Sequence, residues 1–219
     1  MRATQNRPGP PAARARTSPG SRQEARTEAT RRKLLQAAER LFARDGFEAA
    51  RLEDIAAEAG YTRGAFYANF ESKEDIFFAL LEHWVAQRIG EVNALLRQHP
   101  GAAEQLRALR EYYVQNAKDR QLALLALEFK LFTLRHPEAA ARFRARRQAF
   151  RSCGSDLLQR LAKSLGRSLP VSSRAAATAL GAFSQTLLLE HLVDPKSLSD
   201  GEIRRLLELV FDAVLIDKT

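Results

Sequence analysis

The chain has 219 residues, 45% of them hydrophobic, which is ample for one or two compact units with buried cores. Its net charge of +9 is unevenly placed, and no uninterrupted apolar run of about 18 residues is present to span a membrane. A single cysteine, Cys153, excludes an internal disulfide and fits the cytosol.

Ala, Leu, Arg and Glu dominate, all good helix formers, and no useful stretch alternates with period two, so the whole chain reads as helical. Residues 1–26 carry six Arg against one Glu and are rich in Pro, Gly and Ser, the composition of an arm that is disordered when free. The arm lacks the apolar core of about 7–15 residues that a signal peptide needs. Residues 27–73 balance at eight basic against eight acidic side chains, so the basic surplus lies mainly in the arm.

The first helix is expected over 27–44, with Leu34, Ala37, Ala38, Leu41 and Phe42 turned inward and Asp45-Gly46-Phe47 closing it. Leu52, Ile55, Ala56 and Ala59 then follow the spacing of a single apolar helical face. Gly60 stops that helix, because glycine enters the left-handed conformation without steric cost. Thr62 is placed to cap a third helix over 62–69, in which Phe66 and Phe70 share one face and Arg63 and Tyr67 another. Two aromatic anchors inside and a basic, hydrogen-bonding face outside are the layout of a DNA-reading helix-turn-helix. Ser72, with Asp75 three residues on, forms a capping box for a long fourth helix reaching residue 98.

Four motifs in this stretch occur in order: Leu41-Phe42-x-x-x-Gly46-Phe47, Ile55-Ala56-x-x-Ala59-Gly60, Gly64-x-Phe66-Tyr67-x-x-Phe70 and Ser72-Lys73-Glu74-Asp75. Together they make residues 27–80 resemble the N-terminal domain of TetR-family (tetracycline-repressor-type) transcriptional regulators. The family usually has Thr where Arg51 stands, and often His or Tyr where Asn69 stands. The DNA-binding residues expected here are Arg51, Thr62, Arg63, Gly64, Ala65, Tyr67, Asn69 and Lys73. Arg63 is suited to donate two hydrogen bonds to guanine O6 and N7. Gly64 and Ala65 lack bulk and permit close approach to the backbone, while Tyr67 suits a phosphate contact. Lys73 lies in the first turn of the fourth helix, where free N–H groups favour an anion. The arm has two readings, a minor-groove contact or a passive charged tail.

Beyond the fourth helix, breakers at His99-Pro100-Gly101, Lys118-Asp119-Arg120, His136-Pro137, residues 166–170 and Asp194-Pro195 separate five further helices, nine in all. Pro137 is expected at the first position of its helix. Residues 175–191 are apolar or small around nearly the whole circumference, which requires burial on more than one side. The last helix, behind the capping box Ser199-x-x-Glu202, carries a sustained stripe of Ile203, Leu206, Leu207, Val210, Phe211, Val214 and Leu215. That stripe fits either a private core or an interface, and the resemblance implies dimerisation through these two helices. Phe183, Leu187, Leu207, Val210, Phe211 and Val214 are the expected interface.

The resemblance also implies a small-molecule pocket in residues 74–219, with Trp84, Tyr113, Asn116, Glu128, Phe132 and Gln185 as candidate lining. Arg142, Arg144, Arg146, Arg147 and Arg151 spread over several faces and read as a solvated basic helix. Cys153 has no resolving partner and reads as a small packing residue. The four histidines lie far apart, with no metal-ligand spacing, and no P-loop, HExxH or Gly-x-Ser-x-Gly is present, so no metal, cofactor or catalytic centre is expected.

The expectation is therefore an all-α protein with three parts: a basic arm (1–26), a three-helix DNA-binding head (27–73) and a helical ligand-binding and dimerisation domain (74–219). The resemblance implies a cytoplasmic, homodimeric, effector-responsive regulator, most simply a repressor, on a palindromic double-stranded DNA operator. Two other classes compete: a weakly specific architectural DNA-binding protein, and a helical protein-interaction module.

Overall fold

The computed structural model describes residues 19–116 and 119–217. Within them the chain forms nine helices: α1 Pro19–Ala49, α2 Leu52–Glu58, α3 Arg63–Tyr67, α4 Lys73–Gln98, α5 Ala102–Asn116, α6 Arg120–Arg135, α7 Ala140–Ser164, α8 Ser173–Val193 and α9 Asp200–Val214. Every breaker read from the sequence falls at a helix boundary or within a connection, apart from Lys118, which lies outside the described residues. Residues 1–18 of the expected arm lie outside the described residues, whereas residues 19–26 are helical and extend α1 ahead of its expected start.

Local chemistry explains most boundaries. Gly46 breaks α1 with φ 80° and ψ 165°. At the end of α2, Gly60 takes φ 76°, and the N–H groups of Gly60 and Tyr61 return to the carbonyls of Ala57 and Ala56. That pairing is a Schellman stop, which satisfies two carbonyls the helix would leave open. Ser72 Oγ accepts from Asp75 N at 3.1 Å, but the Asp75 carboxylate reaches Glu71 N, one residue before the position a regular capping box uses. The box at the head of α9 is complete, with Ser199 and Glu202 satisfying each other's N–H. Pro137 departs from expectation. It sits in a turn before α7, in which Ala139 N donates to His136 O at 3.0 Å.

Two short strands were not legible as such: β1 Arg167–Ser168 pairs antiparallel with β2 Ile216–Asp217. Each strand is two residues long, too short to show a period, and the pairing ties the chain after α9 to the end of α7.

The head's core does not stop at residue 73. Phe42, Phe47, Ile55, Phe66 and Phe70 share one buried cluster with Ile76, Phe77, Leu80 and Leu81 of α4 and with Leu125, Phe129 and Phe132 of α6. Phe77 is its hub, with ring centroids 5.0 Å from Phe42, 4.7 Å from Phe47, 4.5 Å from Phe129 and 5.1 Å from Phe132. Aromatic pairs of this kind add about 0.5–1.5 kcal/mol each beyond the area they bury. A second cluster joins Leu106 and Leu109 of α5, Leu157, Leu158 and Leu161 of α7, Leu180 of α8 and Phe211 of α9. A third joins Val114, Leu187, Ile203 and Leu207.

These last two clusters bury most of the residues expected at a dimer interface. Leu207 and Phe211 are 1% and 0% exposed inside a single chain, and Leu187 and Val214 are buried with them. Phe183 and Val210 are half-buried against the same clusters. The stripe on α9 is a core stripe, because α5 and α8 already cover it. What the single chain leaves uncovered is the other side of α8, where Ala175, Ala179, Ala182 and Thr186 are exposed and Val193 is 82% exposed, together with Leu209 of α9.

Candidate DNA interface and ligand cavity

The outward face of α3 is built from the inside. Phe66 and Phe70 are fully buried, while Arg63 and Tyr67, one helical turn apart, are exposed to the solvent. Thr62 adopts extended backbone and its Oγ1 accepts from Ala65 N at 3.4 Å, as its cap role requires. Gly64 is exposed and Ala65 half-buried, so nothing bulky stands in front of the helix start.

Arg63 is exposed yet held. Its Nη1 lies 3.0 Å from Glu53 Oε1 of α2, its Nη2 donates to Tyr67 Oη at 3.3 Å, and the guanidinium carbon stands 5.5 Å from the Tyr67 ring centre. The hydrogen bond to Tyr67 and the Glu53 carboxylate push its pKa further up. Three contacts with two partners thus orient a permanently charged, two-pronged donor on the open face. Glu53 was missed from the sequence, because it belongs to the preceding helix and its acidity argues locally for a solvated first turn.

Two other expected contacts, Lys73 and Asn69, are held by intramolecular partners, and Arg51 stays exposed. Lys73 directs its ammonium at three main-chain carbonyls after the break in α1: Phe47 O at 2.8 Å, Glu48 O at 3.1 Å and Ala50 O at 3.3 Å. It also lies 4.5 Å over the Phe47 ring. An ammonium has three donors, and all three have partners here, so Lys73 fastens the α1–α2 turn to α4 instead of projecting outward. Asn69 donates from Nδ2 to Ala65 O at 2.8 Å, which folds it back on its own helix. Arg51 is exposed at the N-cap of α2 and makes no side-chain cap bond. Arg31, not anticipated, donates to Asn69 O at 2.9 Å and lies 4.2 Å over the Phe70 ring, locking the end of α3 to α1.

Behind the head, α4, α5, α6, α7 and α8 enclose a cavity of about 390 Å³. Trp84, Tyr113, Asn116 and Gln185, among the candidates read from the sequence, line it. Glu128 and Phe132 do not. Phe132 is 2% exposed and stacks on His136 at 4.5 Å, inside the joint between α6 and α1. Glu128 Oε2 accepts from Phe47 N at 3.0 Å, and a Cβ added at Gly46 would lie 3.3 Å from its Oε1, so the break in α1 needs glycine on both counts. His136 completes the joint with Nε2 3.1 Å from Glu48 Oε1. Along α6, then, Ala126, Phe129 and Lys130 line the cavity while Leu125, Glu128 and Phe132 grip the head.

The cavity wall is aromatic and basic. Arg88 of α4, missed from the sequence, donates to Asn116 Oδ1 and Tyr112 Oη and lies 3.2 Å from Glu91. Burial pushes the Tyr112 phenol up to about 12 and the Tyr113 phenol up as well, so both stay neutral. Of the seventh-helix arginines, Arg151 is exposed at the cavity and Arg144 is exposed; the side chains of Arg142, Arg146 and Arg147 lie outside the described residues. Cys153 is half-buried on the same wall.

Residues 34–80 match the family model described as bacterial regulatory proteins, tetR family. The transcriptional activator FasR of Mycolicibacterium smegmatis is 30% identical over 131 residues, which are 59% of each chain. Among curated relatives the matched stretch spans from 21% to 59% of their length. A putative transcriptional regulator from Saccharomonospora viridis, solved with choline, has a TM-score of 0.70 at 23% identity, over 89% of this chain and 99% of that one. NalD, the secondary repressor of the MexAB-OprM multidrug efflux pump in Pseudomonas aeruginosa, has a TM-score of 0.60 at 27% identity, over 88% and 98%. The capped helix-turn-helix thus lies within the stretch that matches the tetR family model, and the nine-helix fold behind it is similar to that of solved transcriptional regulators.

Proposed function

We propose that the chain is a dimeric, effector-responsive transcriptional regulator that reads a palindromic operator through α3. The observation that carries this reading is Arg63, exposed and aimed by Glu53 and Tyr67 while Phe66 and Phe70 are buried beneath the same segment. Its planar fork suits guanine O6 and N7 in the major groove. Thr62, Gly64, Ala65 and Tyr67 frame the approach to the backbone, while Arg51 and Asn69 play secondary parts. Lys73 acts by holding the turn that positions both reading helices.

Dimerisation proceeds through the uncovered side of α8 and Leu209 of α9, in place of the residues the core absorbs. An exposed run of Ala, Thr and Val at helical spacing lets a second helix approach closely. An effector in the cavity acts through α6, whose opposite side holds Phe47 of the head through Glu128 and whose C-terminal cap, His136, meets Glu48. A difference in effector affinity between the DNA-bound and released forms worth about 1–3 kcal/mol gives about a 5–150-fold change in operator affinity. Release on effector binding makes the protein a repressor; the activator named among its relatives marks the opposite outcome.

Selecting sequences from a random double-stranded pool with the full chain tests the reading. Recovery of an inverted repeat bound by a dimer supports it. Uniform binding of unrelated sequences supports an architectural role, and absence of any salt-dependent binding supports an interaction module.

A further inference from the structure

The cavity's chemistry is lopsided in a way that defines what fills it. Arg88, Lys130 and Arg151 line it, and among the described residues no aspartate or glutamate does. The polar groups are also unequal. Thr178 and Ser184 turn their hydroxyls back to carbonyls of their own helix, at 2.8 and 2.7 Å. Asn116 Oδ1 already accepts from Arg88, and Tyr112 already donates to Glu91. What remains over is donor capacity. Arg88 Nε and Gln185 Nε2 are both buried with no hydrogen-bond partner. A buried N–H without a partner has lost its hydration and gained nothing in return, so each gains when an acceptor arrives.

From this surplus we infer that the cavity takes a small molecule with an apolar body and a carboxylate head, held by Arg88 and Gln185. The inference rests on the proposal that this cavity is the effector site of a regulator, and it names the effector's class. The body lies against Trp84, Tyr113 and Phe129, which supply the apolar surface. At about 30 Å³ per water-sized group, 390 Å³ holds on the order of a dozen heavy atoms. Lys130 and Arg151 add positive potential that draws in an anion and opposes a cation. Glu91 offsets one side of the Arg88 guanidinium through Nη1 and lies outside the cavity lining, leaving Nε to a ligand. A quaternary ammonium, the type of ligand held by the choline-bound neighbour, meets aromatic walls here but no anion.

Three probes of one length separate the possibilities: dodecanoate, 1-dodecanol and dodecyltrimethylammonium, each below its micelle concentration. Trp84 is the chain's one tryptophan, so its fluorescence reports filling of the cavity without reference to DNA. Dodecanoate is expected to bind saturably and at least tenfold more tightly than either other probe. Gln185→Leu removes one unpaired amide, leaves the melting temperature unchanged or higher, and lowers dodecanoate affinity severalfold while sparing dodecanol. Arg88→Gln lowers it further, and Gln185→Leu carries the test if that variant does not fold. Equal affinity for dodecanoate and dodecanol, tighter binding of the ammonium, equal losses for all probes in Gln185→Leu, or no saturable change in Trp84 would each overturn the inference. Operator binding by the ligand-free protein, measured in parallel, is independent of all these outcomes, and its absence would count against the regulator reading instead.

Discussion

Replacing Leu207 and Phe211 together by Glu separates a core stripe from an interface stripe. Phe211 is fully buried among Leu106, Leu109, Leu157 and Leu161, with its ring 5.4 Å from that of Tyr113. Truncating a buried Phe to Ala alone costs about 3–5 kcal/mol. A carboxylate adds its own desolvation, offset only by taking up a proton. Leu207, 1% exposed beside Val114, Leu187 and Ile203, adds a Leu-sized loss of about 2–5 kcal/mol. The sum reaches the whole stability of a typical domain, about 5–15 kcal/mol. The double variant is therefore expected to lose its helical circular dichroism, or its cooperative melt, in the monomer itself. Leu209→Glu, at a position 49% exposed on the same helix, is expected to keep the helical signal and sediment as a monomer. A double variant that stays folded with a near-native melting temperature refutes the assignment of this stripe to the core. A Leu209→Glu chain that remains a dimer places the interface elsewhere.

Lys73→Met removes three charge-assisted bonds to carbonyls and should lower stability by about 1–3 kcal/mol, read from the urea midpoint; a shallower salt slope of DNA binding at unchanged stability would return Lys73 to a phosphate. Hydrogen bonding to Glu48 raises the His136 pKa above its ordinary 6.5, so its contribution is present in full below pH 6.5 and is lost as pH rises through the raised value. The melting temperature of wild type should thus exceed that of His136→Gln at acid pH and converge on it at alkaline pH, and a pH-independent difference would exclude the ion pair as its source. Deleting residues 2–18 removes four Arg and no acid, and should lower DNA affinity and flatten its salt dependence with dimerisation intact; equal affinity at low salt marks the arm as a passive tail.

The parts of the fold that were legible are those fixed by neighbours in sequence. Gly60, Thr62, Ser72 and the Ser199–Glu202 pair stop and start helices through bonds spanning three to five residues, and all four stand where they were read. The reading face of α3 was legible for the same reason, since the four-residue spacing puts Arg63 beside Tyr67 as it puts Phe66 beside Phe70. Long-range partners were not. Lys73 bonds carbonyls 23 to 26 residues upstream, and nothing near it in sequence says so. The α9 stripe announces an apolar neighbour without saying whether it is α5 of the same chain or a second copy. Glu128 and Phe132 sit on the right helix but on its other side, one residue or three away from Phe129, which reaches both cavity and head core. Arg88, in a charged patch of α4, looks like surface until Tyr112 and Asn116 fold against it.

The central claim is that α3 reads base sequence, and Arg63→Ala tests it most directly. The substitution leaves the buried Phe66 and Phe70 and the Thr62 cap in place. Titrating wild type and variant against the selected operator and against random DNA at one salt concentration gives the specificity ratio. Loss of a bidentate base contact should lower that ratio by an amount equivalent to about 1–3 kcal/mol, with non-specific affinity changing much less. An unchanged ratio, with both affinities falling together, would mean that Arg63 meets only phosphate and that α3 is not the element that reads sequence.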